Sequence, residues 1–183
     1  DLTPDDDEDL RWRTIVMGGL RNGGQAYYAL DVTDPTGSAS EGTSTFPRYL
    51  WGFPCDDCSN AVNDGTSGEK TYMGNTWSEP VITRVRVKVN DAPSPYGYDR
   101  WVAIFGGGYH EHGDPNGDDY RTDDIAGFEP KGRAIYMVDL TTGEVLAKKV
   151  FDENASALSD THSPTVGIKE MRYAIASAPA VFD

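Results

Sequence analysis

The sequence predicts an all-β fold. Short runs of β-branched and aromatic residues are separated by clusters of glycine, aspartate, asparagine and proline, a pattern that is typical of antiparallel strands joined by turns. Several of these runs recur in the same order further along the chain. Only residues 153–160 are candidates for a helix, and a short one. With 183 residues, the chain is long enough to bury a sizeable core.

An internal repeat organises the predicted strands. Each copy consists of three successive runs. The first copy has WRTIVMGGL at residues 12–20, AYYALD at 26–31 and RYLWGF at 48–53, and the second has WVAIFGGGY at 101–109, AIYMVD at 134–139 and EVLAKKVF at 144–151. Asn22-Gly23, between the first two runs, predicts a tight hairpin, because both central residues of a type I′ turn need positive φ.

A further strand precedes the second copy. Arg84, Arg86 and Lys88 alternate with valines, which predicts a strand with one wet face. Its opening, SEPV at residues 78–81, recurs as SAPA at residues 177–180. If this strand is A and the three runs are B, C and D, the chain has the order B-C-D, A-B-C-D, A. Such an order predicts part of a β-propeller of four-stranded antiparallel blades, with two long loop insertions.

The strand order also predicts boundaries. The chain divides into a partial blade of strands B-C-D at residues 1–54, a cysteine-containing insertion at 55–75, a full blade at 76–152 with an acidic insertion at 110–130, an inter-blade linker at 153–171, and the first strand of the next blade at 172–183. The two insertions make the repeat about twice as long as a usual blade. Loops of this length are usually functional or disordered.

The charge of the chain limits its partners. A formal net charge of −14 disfavours binding to nucleic acid or to an anionic membrane surface, because both would repel it. No apolar run is long enough for a membrane span, and the acidic first residues are unlike a signal peptide. We therefore expect no nucleic-acid partner, no membrane insertion and, if the parent protein is exported, a targeting signal upstream.

The two cysteines, Cys55 and Cys58, form a C-x-x-C pair. Such a pair suits a redox dithiol, half of a zinc site, a haem attachment or a small disulfide. Ser59 stands where a haem motif needs histidine, a second cysteine pair for zinc is missing, and the surrounding residues favour turns rather than a helix start. The preferred interpretation is a structural disulfide, which implies an oxidising compartment.

Candidate metal ligands lie in the second insertion. Asp114, Asn116 and Asp118, followed by Asp119, surround a proline and a glycine that can fold the chain. Calcium takes six to eight oxygen ligands of this kind, although the spacing is not that of an EF-hand. A solvated acidic loop is the alternative interpretation.

Two histidines offer a different metal site. His110 and His112 would point the same way from an extended strand, and with Asp114 they are candidate ligands of a transition metal.

The sequence predicts no catalytic residues. Its glycine clusters fit neither a dinucleotide-binding loop nor a P-loop, and are expected instead to allow close approach between strands. No Ser/His/Asp or Cys/His arrangement has local support, so we expect a protein that is not an enzyme.

Taken together, five segments resemble the propeller domain of the PilC/PilY family of type IV pilus assembly and adhesion proteins. They are WRTIVMGGLRNGGQAYYALDVTDP, GNTWSEPVITRV, WVAIFGGGY, AIYMVDLTTGEVL and AIASAPAVFD, in matching order. The resemblance implies a bacterial protein exported through the periplasm to the pilus tip or outer cell surface, where it acts in pilus biogenesis and adhesion. Its implied partners are pilins or minor pilins, and host or surface receptors.

The resemblance also implies calcium. In this family a blade strand ending in P-x-x-x-D leads into an aspartate-rich calcium loop, and residues 179–183, PAVFD, match this lead-in. Asp183 is therefore a candidate first ligand.

Two alternatives remain open. ALDVTDP and IYMVDLTTGEVL also resemble the blades of pyrroloquinoline-quinone dehydrogenases, whose propeller is similar. Those enzymes typically carry adjacent cysteines, whereas Cys55 and Cys58 are separated by two aspartates. The other alternative is a scaffold propeller for protein assembly in the periplasm.

Overall fold

A computed structural model describes residues 13–33, 35, 46–54, 72–87, 98–110, 131–151, 165–168, 171 and 174–181. These residues form two β-sheets, which confirms the all-β prediction. Within the same residues, no helix is long and apolar enough to cross a membrane.

The two sheets follow the predicted order of strands. The first contains β1 (Ile15–Gly19), β2 (Tyr27–Asp31) and β3 (Arg48–Phe53), and the second contains β4 (Val81–Val87), β5 (Tyr98–Gly106), β6 (Ala134–Asp139), β7 (Val145–Phe151) and β8 (Thr165–Ile168). All neighbouring strands pair antiparallel except β7 and β8, which are parallel. The runs labelled B-C-D and A-B-C-D thus correspond to β1–β3 and β4–β7.

The strand β8 was not anticipated. It lies within residues 153–171, which the sequence assigns to a linker, and it pairs with the outer edge of β7. A run of four residues with a central glycine has too little alternation to be recognised as a strand. Residues 174–181, expected to begin the next strand A, are not assigned to a strand.

The two sheets pack face to face around aromatic rings. Tyr27 of β2 and Phe105 of β5 have ring centroids 4.3 Å apart, and Phe53 of β3 meets Tyr136 of β6 edge-on at 4.8 Å. All four side chains are buried. Each such ring buries a large apolar surface, so this cluster dominates the core. It sets β2 against β5 and β3 against β6.

Trp51 of β3 extends the contact to the turn between β6 and β7. Its indole Nε1 donates a hydrogen bond of 2.9 Å to the carbonyl oxygen of Leu140. Gly143 has a φ of 76°, and a Cβ there would lie only 2.7 Å from the Trp51 ring. Position 143 therefore requires glycine for two reasons: its φ is positive, and the Trp51 indole occupies the space that a side chain would fill.

Both copies of the repeat contain an irregularity at the same position. The register shifts between Ala29 and Leu30 in β2, and between Met137 and Val138 in β6. These residues are equivalent when AYYALD is aligned with AIYMVD. Since a bulge increases the local twist of a strand, the two sheets are twisted at equivalent points.

The last residue of β2 and of β6 is an aspartate that accepts hydrogen bonds from the turn that follows it. Oδ1 of Asp139 accepts hydrogen bonds from the amide and hydroxyl of Thr141, at 2.9 and 2.6 Å, and from the amide of Thr142 at 3.0 Å. Oδ1 of Asp31 accepts the matching pair from Thr33, at 3.0 and 2.6 Å. The turns that follow β2 and β6 are therefore held by aspartate side chains, which accept hydrogen bonds from the turn residues.

The charge of Asp139 is stabilised inside the structure. Its Oδ2 lies 2.9 Å from a guanidinium nitrogen of Arg100 on β5. Burial by itself raises the pKa of Asp139, but the hydrogen bonds of the turn and the charge of Arg100 together outweigh it and hold the pKa below its ordinary value. The ionised form is thus the one that the fold favours.

Replacing Asp139 should change how stability depends on pH. Because its pKa is depressed in the folded state, its charge contributes stability above the ordinary aspartate pKa, and this contribution is lost as the pH falls through the folded value. We expect Asp139→Asn to lower the free energy of unfolding by about 1–2 kcal/mol at pH 7. The variant should also lose less stability than the wild type between about pH 4 and pH 2. Urea denaturation across this range measures both effects.

Asp99→Asn is the matched control. Asp99 pairs with Arg86, whose side chain is 66% exposed, and such surface pairs contribute little. An Asp139→Asn variant with the full acid dependence of the wild type would show that the Asp139 charge does not stabilise the fold.

Candidate functional site

The end of the first predicted insertion lies beside the residues that flank the second. The described chain resumes at Tyr72, near the end of the first insertion, and at Lys131, directly after the second. The amide of Gly132 donates a hydrogen bond of 2.9 Å to the carbonyl oxygen of Tyr72, and the amide of Gly74 donates one of 2.7 Å to Gly107. The insertions thus share a support, called here the insertion base and formed by residues 72–76, 107–110 and 131–133.

Backbone pairing joins the two sides of the insertion base. Asn75 and Tyr109 exchange both of their backbone hydrogen bonds, at 2.6 and 2.8 Å. Gly108, just before Tyr109, has a φ of 93°. A Cβ there would collide with the carbonyl oxygen of Asn75. The predicted role of these glycines, close approach between chain segments, is confirmed at this position.

Thr76 connects the insertion base to the first sheet. Its Oγ1 accepts a hydrogen bond of 2.9 Å from the amide of Arg21 and lies 3.3 Å from the carbonyl oxygen of Ala26, to which it donates. Its amide donates to Gly24 at 3.4 Å. The hairpin between β1 and β2 is therefore anchored to the segment on which the first insertion ends.

Ser78 joins three parts of the chain in the buried interior. Its Oγ accepts a hydrogen bond of 2.8 Å from the amide of Gly106 and donates one of 2.9 Å to the carbonyl oxygen of Ser177. The Ser78 carbonyl oxygen accepts one of 2.6 Å from the Tyr27 hydroxyl. Burial raises the pKa of Tyr27 well above its ordinary range, against the opposing effect of the bond with Ser78, so this hydroxyl remains a donor.

The residues just before SEPV and SAPA make matching contacts. Thr76 donates its amide to Gly24 in the first copy, and Ile175 donates its amide to Gly132, at 2.8 Å, in the second. Ile175 also accepts a hydrogen bond of 3.0 Å from the amide of Gly108. The repeat of SEPV and SAPA in the sequence therefore reflects a repeated contact with the preceding sheet.

The structural repeat differs from the sequence alignment by two residues in the first run. The amide of Leu20 donates to Ala26 at 3.1 Å, and the amide of Gly107 donates to Ala134 at 2.7 Å. Because Ala26 and Ala134 begin the matching second runs, Leu20 is structurally equivalent to Gly107. The sequence alignment of the first runs pairs Leu20 with Tyr109 instead. A shift of two residues keeps every side chain on its face of the sheet.

Exposed apolar side chains surround the insertion base. Leu20, Trp77 and Tyr109 are 46%, 39% and 47% exposed. The indole Nε1 of Trp77 donates to Asn22 Oδ1 at 3.1 Å, and the Arg21 guanidinium lies 5.4 Å from the centre of the indole ring. Trp77 is therefore held in place while it remains accessible. Sequence reasoning missed this residue, although it directly precedes SEPV, which recurs as SAPA.

Most site residues predicted from the sequence lie outside the described part of the chain. Asp114, Asn116, Asp118, Asp183, His112 and both members of the Cys55–Cys58 pair lie outside the described residues. His110 is described and is the last residue of its segment in the insertion base. In the described part of the chain, no group of three His, Cys, Asp or Glu side chains is placed to hold a metal ion. The calcium site and the disulfide stay predictions.

Two curated proteins are similar to this chain. Both come from Xylella fastidiosa (strain Temecula1 / ATCC 700964), and each is named a type IV pilus biogenesis factor PilY1 homolog. One is 28% identical over 141 residues, which cover 76% of this chain and 6% of the relative. The other is 35% identical over 78 residues, which cover 43% of this chain and 5% of the relative.

No protein-family model matches the chain, and no solved structure shows significant similarity to it. The chain corresponds to a small part of the much longer curated relatives that it matches.

The backbone conformation at Gly108 should be essential to the insertion base. Alanine there would combine a positive φ with a collision against Asn75. We expect Gly108→Ala to lower the free energy of unfolding by about 2 kcal/mol or more, measured by chemical denaturation.

Gly24→Ala is the control for that substitution. A Cβ at Gly24 first meets Cδ1 of Leu20, at 2.9 Å, which is the end of a flexible and exposed side chain. We expect Gly24→Ala to lower the free energy of unfolding by less than about 1 kcal/mol. Equal losses in the two variants would contradict the role assigned to Gly108.

Proposed function

We propose that this chain forms two neighbouring blades of a β-propeller in an extracellular protein associated with type IV pili, which acts in pilus biogenesis and adhesion and is not an enzyme. The observation that carries the proposal is the similarity to PilY1 homologues, which extends over 76% of the chain in one case. The names of these relatives refer to pilus biogenesis.

The repeated geometry supports the propeller. Both sheets have a register shift at the equivalent position of the middle run and a turn in which an aspartate accepts hydrogen bonds from a threonine. In both, the residue two positions before SEPV or SAPA donates its amide to an equivalent glycine, Gly24 or Gly132. Two elements that share such details and pack face to face are the expected product of a blade repeat. The segment at residues 174–177 would then lead into a third blade.

We further propose that the insertion base presents the partner-binding surface. Loops carried by a rigid scaffold are the usual place for recognition. The base contains the described end of the first insertion and the residues that flank the second, and Trp77 and Tyr109 are exposed there. Pilins or minor pilins, and receptors on the host or another surface, are the proposed partners. In this proposal, Cys55 and Cys58 form a disulfide within the first insertion.

Deletion and replacement of the gene for the full-length protein test this function. In the bacterium that encodes it, deletion should reduce surface pili and adhesion several-fold. A Trp77→Ala, Tyr109→Ala double variant should reproduce much of that loss, because it removes the exposed rings with little effect on the buried core. Shear-released pili and bound cells measure the two outcomes.

Tyr49→Ala is the matched control for this experiment. Tyr49 is 57% exposed on β3, away from the insertion base, so its loss should leave both outcomes close to wild type. Unchanged piliation and adhesion after deletion would reject the proposed function. Alcohol oxidation by the purified protein after loading with pyrroloquinoline quinone would support the dehydrogenase alternative instead.

We propose that calcium regulates this function through Asp114, Asn116, Asp118 and Asp183. Calorimetric titration of the full-length protein with calcium should give a binding heat and raise the melting temperature. The double variant Asp114→Asn, Asp118→Asn removes ligand charges from the acidic insertion but leaves Asp183 unchanged. Loss of the binding heat in this variant would assign the calcium site to the insertion. The same titration with zinc tests the candidate transition-metal site of His110, His112 and Asp114. Absence of heat and of thermal shift with calcium would reject this part of the proposal.

A further inference from the structure

An exposed arginine in the hairpin between β1 and β2 has a backbone conformation that favours glycine. Arg21 has a φ of 52°, and among the described residues it is the only one besides glycine with a positive φ. The sequence predicted positive φ at Asn22 and Gly23, whereas the structure places it at Arg21. This conformation is unfavourable for a long side chain. Because residues in such conformations cluster at functional sites, Arg21 is a candidate binding residue.

The backbone on both sides of the Arg21 side chain is held by hydrogen bonds. The Arg21 amide donates one of 2.9 Å to Oγ1 of Thr76, and the Arg21 carbonyl oxygen accepts one of 3.3 Å from the amide of Gly24. The carbonyl oxygen of the preceding residue, Leu20, accepts one of 2.8 Å from the amide of Gly23. A side chain that starts from a fixed backbone loses less conformational freedom when it binds a ligand.

The guanidinium of Arg21 lies against an aromatic ring. Its central carbon is 5.4 Å from the centre of the Trp77 indole, and the indole Nε1 donates a hydrogen bond of 3.1 Å to Oδ1 of Asn22. All three residues are exposed. The interaction with the ring uses the charge of the guanidinium and leaves its N–H groups available to an acceptor.

The surroundings of Arg21 differ from those of other arginines. Several arginines of the described chain have a carboxylate oxygen at 3.7 Å or less, namely Arg48, Arg84, Arg86 and Arg100. Within the described residues, no carboxylate forms such a pair with Arg21. The planar N–H groups of arginine match the two oxygens of a carboxylate. In a chain with a formal net charge of −14, Arg21 is thus a local site for a carboxylate from outside.

We propose that Arg21 and Trp77 form a binding site for an acidic side chain, aspartate or glutamate, of a partner protein. The carboxylate binds the Arg21 guanidinium, and an apolar side chain next to it in the partner packs on the indole of Trp77. Tryptophan and arginine are among the residue types that dominate binding energy at protein interfaces. The inference rests on the proposed function in one respect, because it assigns a ligand chemistry to the surface at the insertion base.

A protein partner fits this surface better than an acidic sugar does. Leu20 and Trp77 are 46% and 39% exposed, so apolar side chains lie on either side of Arg21 in the contact between the hairpin and residues 76–77. A sugar presents mainly hydroxyl groups, which need several polar partners. A protein segment can offer a carboxylate and an apolar side chain together.

Selection of random peptides displayed on phage tests the class of ligand. The immobilised target is the full-length protein, and peptides that also bind its Arg21→Gln variant are removed. We expect the remaining peptides to share an aspartate or glutamate next to an apolar residue. Failure to recover peptides that distinguish the two proteins, or recovery of peptides without a shared acidic residue, would overturn the proposal. Binding of an acidic glycan by the wild type but not by the variant, on a glycan array, would reassign the site to a sugar and also overturn it.

A double-mutant cycle tests the ion pair itself. Replacing the acidic residue of a selected peptide by its amide should weaken binding to the wild type about tenfold and binding to Arg21→Gln much less. Added salt should likewise weaken binding to the wild type more than binding to the variant. Equal losses in the two proteins would show that Arg21 does not contact the carboxylate.

Arg48→Gln is the matched control for the loss of an exposed arginine. Arg48 is 59% exposed and lies 3.2 Å from Asp31, which pairs with Ile15 at the other end of β1 from Arg21. This variant should bind the selected peptide like the wild type. A loss equal to that of Arg21→Gln would attribute the effect to overall charge and contradict a local site.

Arg21→Gly separates binding from folding. Glycine readily adopts a φ of 52°, so this variant should melt at the wild-type temperature or above and still lose the peptide as Arg21→Gln does. A clearly lower melting temperature in both Arg21 variants would overturn the assignment, because Arg21 would then serve the fold. These binding measurements are independent of the piliation and adhesion assays, so failure of this site and failure of the proposed function are distinguishable.

Discussion

The rings of Tyr27, Phe53, Phe105 and Tyr136 fill the space between the two sheets, and the other contacts across the sheets depend on the separation that these rings set. The Tyr27 hydroxyl reaches the Ser78 carbonyl oxygen only because its ring lies against Phe105. Ser78 in turn holds Gly106 and Ser177. A chain of direct contacts therefore leads from the apolar core to the insertion base, and a change in ring packing would be transmitted to it.

The insertion base supports the two insertions, which we propose to bind partners. Its own hydrogen bonds run mostly between backbone groups of glycines and their neighbours, so they place few demands on the side chains of the insertions. Such an arrangement lets the insertions vary in sequence while their ends stay fixed. Trp77, which directly follows residues 72–76 of the base, is held through its side chain by Asn22 and Arg21 and yet remains accessible. A rigid exposed ring loses little conformational freedom on contact with a partner, which suits the proposed role of this surface.

Much of the fold could be predicted because its signals are local. The alternation of Arg84 and Arg86 with valines identifies β4, and the three recurring runs identify the strands on either side of it. The short parallel strand β8 could not be recognised, since its pairing with β7 is not encoded in four residues. The two-residue offset between the aligned repeats and the structural register has a related cause. Leu20 and Gly107 are equivalent because their amides donate to Ala26 and Ala134. These are backbone hydrogen bonds, so the residue types of β1 and β5 do not reveal them.

The sequence by itself determined the all-β class, the order of β1 to β7, and the existence of two insertions far apart along the chain. Only the tertiary structure decided that the ends of these insertions are hydrogen-bonded to each other, at Tyr72 and Gly132. Strand formation depends on residue type and period within a few positions, which a sequence displays directly. Proximity between distant segments depends on how two sheets pack, and this follows from the combined shape of rings that lie on different strands.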